Sequence, residues 1–191
     1  MLRRLVLALL LARLVPGPAS AQAQPRPGPE ARKAELDRAF EALRTAPDEA
    51  GAALVEGRIR ALWAQAASPS VVLLLRRGAR NLEARLPNES LEDCDAAITL
   101  APDFAEAWFL RAQAYLAAGD GAQAARDLQE VLRLEPRHWA ALLALSAIQD
   151  GAGDAPGALR SLGAALAINP QMPGGAARLR EQRRKAEGEA T

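Results

Sequence analysis

The only histidine of the chain lies among residue types that could support acid–base or ligand chemistry. His138 stands between Arg137 and Trp139, and Glu135 lies three positions before it. A histidine in such surroundings can titrate near neutral pH and orient a ligand. The alternative is that the imidazole packs on the surface or in a loop, with no chemical role. Because no second histidine or cysteine lies nearby, we favour packing for His138.

A second group of chemically active residue types surrounds the only cysteine, Cys94. Four carboxylates lie close to it in the sequence: Glu89, Glu92, Asp93 and Asp95. A metal site is one interpretation, but acidic residues at a helix start also interact favourably with the helix dipole and with water, and we favour that. Cys94 lies on an apolar helical stripe, where a thiol packs as a small hydrophobe. With one histidine and one cysteine, no His/Cys metal cluster can form, and we expect no metal and no cofactor.

Motifs of common catalytic sites are absent from the sequence. We find no Gly-rich phosphate loop, nucleophile elbow or zinc-protease motif. The glycine-rich stretches "GDGAQ" (119–123) and "GAGDAPG" (151–157) recur at a constant spacing and are interpreted as turns. We therefore expect a protein that is not an enzyme.

The first 21 residues have the three-part pattern of an export signal. "MLRR" is basic, and "LVLALLLARLV" is apolar but shorter than the roughly 20 residues that span a membrane. Ala19-Ser20-Ala21 offers a small-x-small cleavage site. We expect cleavage between Ala21 and Gln22 and a periplasmic location, with an uncleaved anchor as the alternative. Residues 22–29, rich in proline and glutamine, are expected to form a disordered linker.

Composition and net charge indicate which classes of binding partner are not expected. Half of the chain is apolar, only 4% is aromatic, and nearly all the basic residues are arginine, a bias typical of a GC-rich bacterial genome. Such material favours helices over sheets. Removal of the signal leaves 21 basic against 23 acidic residues, a net charge of −2. Because there is no basic field, we expect no nucleic-acid partner and, after cleavage, no membrane association.

The strongest pattern after residue 30 is a period of 34 residues. Pro102, Pro136 and Pro170 follow it, and Gly119-Asp120 recurs as Gly153-Asp154. One period contains two apolar stripes at helical spacing: Trp108, Ala112, Tyr115 and Leu116, then Ala124, Leu128, Val131 and Leu132. Gly119 is placed to end the first helix in a left-handed conformation, and Asp120 to cap the second. Because one hairpin cannot bury both stripes, neighbouring units must stack into a solenoid.

These units resemble the tetratricopeptide repeat (TPR), a 34-residue helix–turn–helix. Residues 105–138 match almost completely, whereas Asn81 and Gln149 replace an aromatic residue that the family prefers. The resemblance implies an all-α, right-handed α-solenoid with about four hairpins and a C-terminal cap helix. The implied units are a degenerate N-terminal helical hairpin (30–70), three repeats (71–104, 105–138 and 139–172) and a C-terminal cap helix and tail (173–191).

The resemblance also implies a concave groove lined by the first helix of each unit. The second, fifth, ninth and twelfth places of that helix usually meet the ligand in this family. By register they are Val72, Leu75, Ala79 and Leu82; Glu106, Phe109, Gln113 and Leu116; and Ala140, Leu143, Ala147 and Asp150. The lysine and asparagine residues of the family's clamp for a peptide carboxylate are absent, so that function is not carried over.

Two charged positions recur together across the hairpins. In the unit 71–104 the seventh place is Arg77 and the twenty-third is Asp93. In the unit 105–138 the same places are Arg111 and Asp127, whereas the last unit has leucine and serine there. A half-buried guanidinium needs a partner, so we predict Arg–Asp pairs between the two helices of each charged unit.

The predicted concave groove indicates the kind of function that this protein has. An exposed apolar stripe favours binding of a helix or extended segment with apolar anchors. The leading interpretation is a non-enzymatic protein–protein interaction adaptor of the bacterial cell envelope. The alternatives are a permanent structural subunit of an envelope assembly and an accessory protein to an enzyme encoded nearby. Coverage of the groove by the chain's own tail, by the linker or by a second copy also stays open.

Overall fold

The computed structural model describes residues 28–188, and within that range all regular secondary structure is α-helical. The helices are α1 (Pro29–Arg44), α2 (Glu49–Ala64), α3 (Pro69–Glu83), α4 (Pro87–Leu100), α5 (Ala105–Ala117), α6 (Gly121–Leu134), α7 (Trp139–Gly151), α8 (Ala155–Ile168) and α9 (Gly175–Gly188). Consecutive helices pair into hairpins, and the prediction of an all-α repeat solenoid is confirmed. The export signal, its cleavage point and residues 22–27 of the linker lie outside the described residues.

The turns inside the last two repeats follow the sequence prediction. Gly119 and Gly153 have φ angles of 83° and 80°, the left-handed conformation that glycine adopts without a Cβ clash. Asp120 then accepts a hydrogen bond from the N–H of the residue at the third position of α6, and Asp154 does the same for α8. Both predictions, the left-handed glycine and the aspartate cap, are confirmed.

The turn between α3 and α4 reaches the same shape without glycine. Arg85 occupies the place equivalent to Gly119 and has a φ angle of 61°. A side chain in this region costs about 1–2 kcal/mol because its Cβ approaches the following carbonyl oxygen. No aspartate follows Arg85, and α4 instead begins at Pro87, whose fixed φ angle suits the first turn of a helix. This first repeat therefore has a less favourable turn than the two that follow it.

Small residues let the repeats stack closely. The first helices α5 and α7 meet the preceding hairpin through two alanines that are fully buried, Ala107 and Ala141. Leu128 and Val131 of α6 fill the space between α5 and α7. Because alanine holds the helix axes close together, the larger apolar side chains remain free to pack on either side of the contact.

The N-terminal hairpin α1–α2 does not share an apolar cluster with α3. Instead, Phe40, Ile59 and other apolar residues of the hairpin form one cluster with Trp139 of α7 and Leu162 of α8. Polar contacts join the same surfaces: Arg137 Nη1 donates to an α1 aspartate at 2.6 Å, and Asn169 Nδ2 donates to Glu56 Oε1 at 2.7 Å. The chain thus folds back so that its first hairpin lies against the last repeat.

None of the helices in residues 28–188 is both long and apolar enough to cross a bilayer. The described part of the chain therefore contains no candidate membrane span.

Candidate functional site

The residues predicted to line the concave groove lie along two adjoining cavities. The larger cavity, of about 770 Å³, lies between α5, α7 and α9. The smaller, of about 360 Å³, lies between α2, α3 and α5. Phe109 and Gln113 line both and form the boundary between them. Every predicted groove residue lines at least one cavity except Leu82, which lines neither. The structure therefore brings the sequence-predicted set together.

Helix α9 forms a wall of the larger cavity; from the sequence, coverage by the chain's own tail stayed open, but no residue of α9 was named as part of the groove. The contribution of α9 consists of Ala177, Arg178, Glu181, Gln182 and Lys185. A signal for it was present, because Ala177 and Glu181 stand one further period of 34 residues after Leu143 and Ala147. The prediction described residues 173–191 as a C-terminal cap helix and tail, whereas α9 occupies the place of a first helix in a further unit.

An ion pair joins α9 to the groove floor. Lys185 Nζ donates to Asp150 Oδ2 at 2.8 Å. This hydrogen bond, with a second from Gln182, lowers the pKa of the Asp150 carboxyl below its ordinary value. Asp150 was predicted to face a ligand, but its charge is already balanced within the chain.

Helix α2 forms the wall of the smaller cavity through Arg60 and Ala64. Beside them, the Trp63 ring stacks on the ring of His138 at 4.9 Å. No periodic pattern places α2 here, so sequence reasoning had no signal for these residues. The groove is thus flanked by the chain's own first hairpin and last helix, and the two cavities remain between them.

His138 is a structural residue at the base of this arrangement. Its side chain is 2% exposed, and its Nδ1 atom accepts a hydrogen bond from the N–H of Ala141 at 3.1 Å, which caps α7. The other ring nitrogen, Nε2, lies 3.0 Å from Glu106 Oε1 and donates to it. The ring also contacts Phe109, with centroids 4.5 Å apart. The expectation of packing is confirmed, whereas a surface position is wrong because Trp63 covers the ring.

The predicted Arg–Asp pairs are present in both charged repeats. Asp127 accepts two hydrogen bonds of 2.8 Å from Arg111, and Asp95 accepts a third at 2.7 Å. The hydrogen bonds that Arg111 donates to Asp127 are the main reason why the pKa of Arg111 is raised above its ordinary value. In the preceding repeat, Arg77 donates to the buried Asp93, which also raises the pKa of the guanidinium. The prediction is confirmed.

Asn81 and Gln149, which replace the aromatic residue that the family prefers, both take part in a polar contact between the two helices of their repeat. Asn81 Nδ2 donates to Asp93 at 3.0 Å, and Ser161 Oγ donates to Gln149 Oε1 at 2.7 Å. Each repeat that lacks the aromatic residue therefore joins its two helices by a polar contact at the same two places.

Two of the four clustered carboxylates, Asp93 and Asp95, and the cysteine have structural roles. Asp93 and Asp95 are bound by arginines of the neighbouring helices. Within residues 28–188, no group of three or more His, Cys, Asp or Glu side chains is arranged to hold a metal ion. Cys94 is fully buried, and burial raises the pKa of its thiol to about 12. The prediction that Cys94 packs as a small hydrophobe is confirmed.

Comparison with known proteins agrees with this fold. The family model of the tetratricopeptide repeat matches residues 105–138. A TPR repeat-containing protein of Rhizobium etli is 32% identical over 122 residues, which cover 64% of this chain and 60% of that protein. The chain therefore spans less than two thirds of this curated relative.

Solved structures are similar in fold at low sequence identity. The first TPR domain of Spaghetti (RPAP3), bound to an HSP90 peptide, has a TM-score of 0.59 and 17% identity, and the match covers 65% of this chain and 97% of that one. The Sgt2 TPR domain of Aspergillus fumigatus has a TM-score of 0.60 and 21% identity, covering 64% and 83%. The chain thus contains a tetratricopeptide repeat at residues 105–138, and its helices have the solenoid fold of the TPR domains it resembles.

Proposed function

We propose that this chain is a non-enzymatic adaptor that binds a segment of another protein in its concave groove. The observation that carries the proposal is the pair of cavities between α2, the first helices and α9, which are lined mainly by apolar side chains. A cavity of this size and lining holds several apolar side chains of a partner. The RPAP3 domain of similar fold is bound to a peptide, which supports the same use of the fold here.

A steric block of the larger cavity tests the proposal. Ala147 is exposed and lines this cavity, so Ala147→Trp fills it with little effect on the core. Ala164 is an exposed alanine of α8 that lines neither groove cavity, and Ala164→Trp is the matched control. Peptides selected by display on the wild-type chain should bind the control normally and bind Ala147→Trp at least about tenfold more weakly, a loss of about 1.4 kcal/mol. Equal binding to both variants would exclude the groove as the binding site.

We further propose that the adaptor acts in the bacterial cell envelope. The basic, apolar and small-residue segments of residues 1–21 support export. Residues 1–27 fused to a reporter that is active only after export should give activity, and replacement of Leu9 by arginine should abolish it. N-terminal sequencing of the exported chain should begin at Gln22. Activity that is insensitive to the Leu9 change would contradict this location.

The state of association separates an adaptor from a permanent subunit of an assembly. An adaptor should elute from size exclusion as a monodisperse monomer whose groove binds added peptide. Recovery only as part of a larger complex, with no peptide binding, would favour the structural subunit.

A further inference from the structure

We propose that the chain has a second binding site, separate from the concave groove, for a small amphiphilic anion that is free in solution. Such a ligand has an apolar ring system or short acyl chain and one carboxylate, sulfonate or phosphate group. The site is the cavity between the hairpin α1–α2 and the turn from α6 to α7, which we call the seam cavity. Because it shares no lining residue with either groove cavity, it can be occupied whatever the groove binds.

The walls of the seam cavity are mainly apolar and come from both sides of the seam. The larger apolar side chains are Leu36, Leu62 and Trp63 of the hairpin, and Leu134 and Pro136 beside it. The cavity volume, about 550 Å³, lies within the range of sites that hold small molecules. Trp63 is held by stacking on the ring of His138, with centroids 4.9 Å apart. This wall is therefore formed before a ligand arrives, which lowers the cost of binding.

Two cationic side chains of α1 line the seam cavity without a carboxylate partner. Arg32 is half-buried, and its Nη1 atom donates to the carbonyl oxygen of Gln65 at 3.4 Å, next to Ala66 of the same wall. Lys33 is exposed at the next position of the helix. Neither side chain forms an ion pair with a carboxylate of residues 28–188. An anion in this cavity therefore meets positive charge that no group of the chain has neutralised.

The opposite wall does not cancel this charge. Glu135 is the only carboxylate among residues 28–188 that lines the seam cavity, and it accepts hydrogen bonds from the backbone N–H and the Nε atom of Arg137, at 3.0 and 3.2 Å. Arg137 Nη1 also donates to Asp37 at 2.6 Å, and Asp37 lines a different cavity. Three cations thus stand against two carboxylates, and the excess positive charge lies on α1.

The segment that precedes α1 does not complement the seam cavity. Residues 22–27 lead directly towards its wall, but they carry one arginine and no acidic residue. Their charge has the same sign as that of Arg32 and Lys33, so repulsion opposes their binding there.

A ligand in the seam cavity should hold the hairpin in its docked position. The ligand contacts the hairpin on one side and the α6–α7 turn on the other, so release of the hairpin destroys the site. A ligand that binds only the docked form shifts the equilibrium towards it in proportion to occupancy. At ten times its dissociation constant, the ligand should slow proteolysis of the connection at residues 65–68 about tenfold.

A matched pair of fluorescent probes tests the site on the full chain. Anilinonaphthalene sulfonate has an apolar ring system and one anionic group, whereas N-phenylnaphthylamine has the same rings without charge. Arg32→Gln together with Lys33→Gln should weaken binding of the sulfonate roughly tenfold and leave binding of the amine unchanged. Raised salt should likewise weaken only the sulfonate. Equal effects on both probes, or no effect on either, would overturn the proposal.

Matched variants separate the cavity from the charge of the whole chain. Arg38→Gln with Arg160→Gln removes two exposed arginines that line none of the cavities described above, and should leave both probes unaffected. Ala66→Trp fills the seam cavity and should prevent binding of the sulfonate and its protection of residues 65–68. Ala61→Trp, an exposed alanine of α2 outside these cavities, is its control.

Other occupants give results that would overturn the proposal. Sulfonate binding that is lost in Ala147→Trp but kept in Ala66→Trp would place the anion in the concave groove. Binding that appears only when residues 22–27 are replaced by glycine and serine would identify that segment as the occupant. Sedimentation with phosphatidylglycerol vesicles but not with phosphatidylcholine vesicles, lost on changing Arg32 and Lys33, would identify a lipid surface instead of a free anion. Failure of peptides to bind the groove would leave all these results unchanged.

Discussion

The N-terminal hairpin and the tandem repeats bury their helices by different means. Within the repeats, fully buried alanines such as Ala107 and Ala141 bring helices of adjacent units together. The hairpin α1–α2 instead attaches through large rings: the centroid of Trp63 lies 5.6 Å from that of Trp139, and Phe40 lies 6.2 Å from Trp139. These contacts join residues that are far apart in the sequence.

This difference separates two levels of stability. Contacts between neighbouring repeats are local, so the stack is stabilised unit by unit. The hairpin depends on one long-range interface, an apolar and aromatic cluster with two polar contacts beside it, and its release would expose part of the groove while the stack persists. Because Arg60 and Ala64 of α2 line the smaller cavity, release of the hairpin would remove one wall of that cavity.

The largest effect is expected from Trp139→Ala. This side chain is 3% exposed and contacts both Phe40 and Trp63, so its truncation should cost about 3–5 kcal/mol of unfolding free energy. Chemical denaturation should show the loss, and limited proteolysis should cut the connection at residues 65–68 before the repeats. Trp108→Ala, within the stack, is the control: it should destabilise without exposing this connection. A loss below about 1 kcal/mol for Trp139→Ala would contradict the docked hairpin.

A smaller effect is expected inside the stack from Asp127→Ala. It leaves the Arg111 guanidinium, whose side chain is 18% exposed, without its main partner. We expect a loss of about 2 kcal/mol, below the value for a fully buried pair because Asp95 and water still reach Arg111. The exchange Arg111→Asp with Asp127→Arg should recover part of the loss from either single reversal. Additive effects in this double-mutant cycle would mean that the pair is not coupled.

The smallest effect concerns the turns. Gly119→Ala forces a Cβ into a left-handed position and should cost about 1 kcal/mol. Arg85→Gly removes the same penalty from the first repeat, and should stabilise by a few tenths to about 1 kcal/mol, since the gain is offset by a more flexible unfolded chain. Thermal melts of both variants should shift in opposite directions. A loss of stability for Arg85→Gly would show that its side chain, not its backbone, matters at this turn.

The sequence was sufficient to predict the tandem repeats, but it predicted little about the helices α2 and α9 that flank their groove. Spacing alone placed Gly119 and Asp120 in a turn and paired Arg111 with Asp127, because each relation repeats every 34 residues. The resemblance to the tetratricopeptide repeat placed the groove residues together, apart from Leu82. The packing of Trp63 on His138 could not be predicted in this way, because a contact between two distant segments occurs once and produces no repeating pattern in the sequence. The role of α9 was readable, since Ala177 continues the groove register.

The central claim is that another protein's segment lies in the concave groove, and site-specific photocrosslinking tests it most directly. Leu116 is 38% exposed and lines the larger cavity, whereas Leu54 is 79% exposed on α2 and lines neither groove cavity. A photoreactive residue at Leu116 should crosslink a display-selected peptide, and excess unlabelled peptide should prevent it, while the same residue at Leu54 should not crosslink. Crosslinking at Leu54 but not at Leu116 would contradict the proposed binding site.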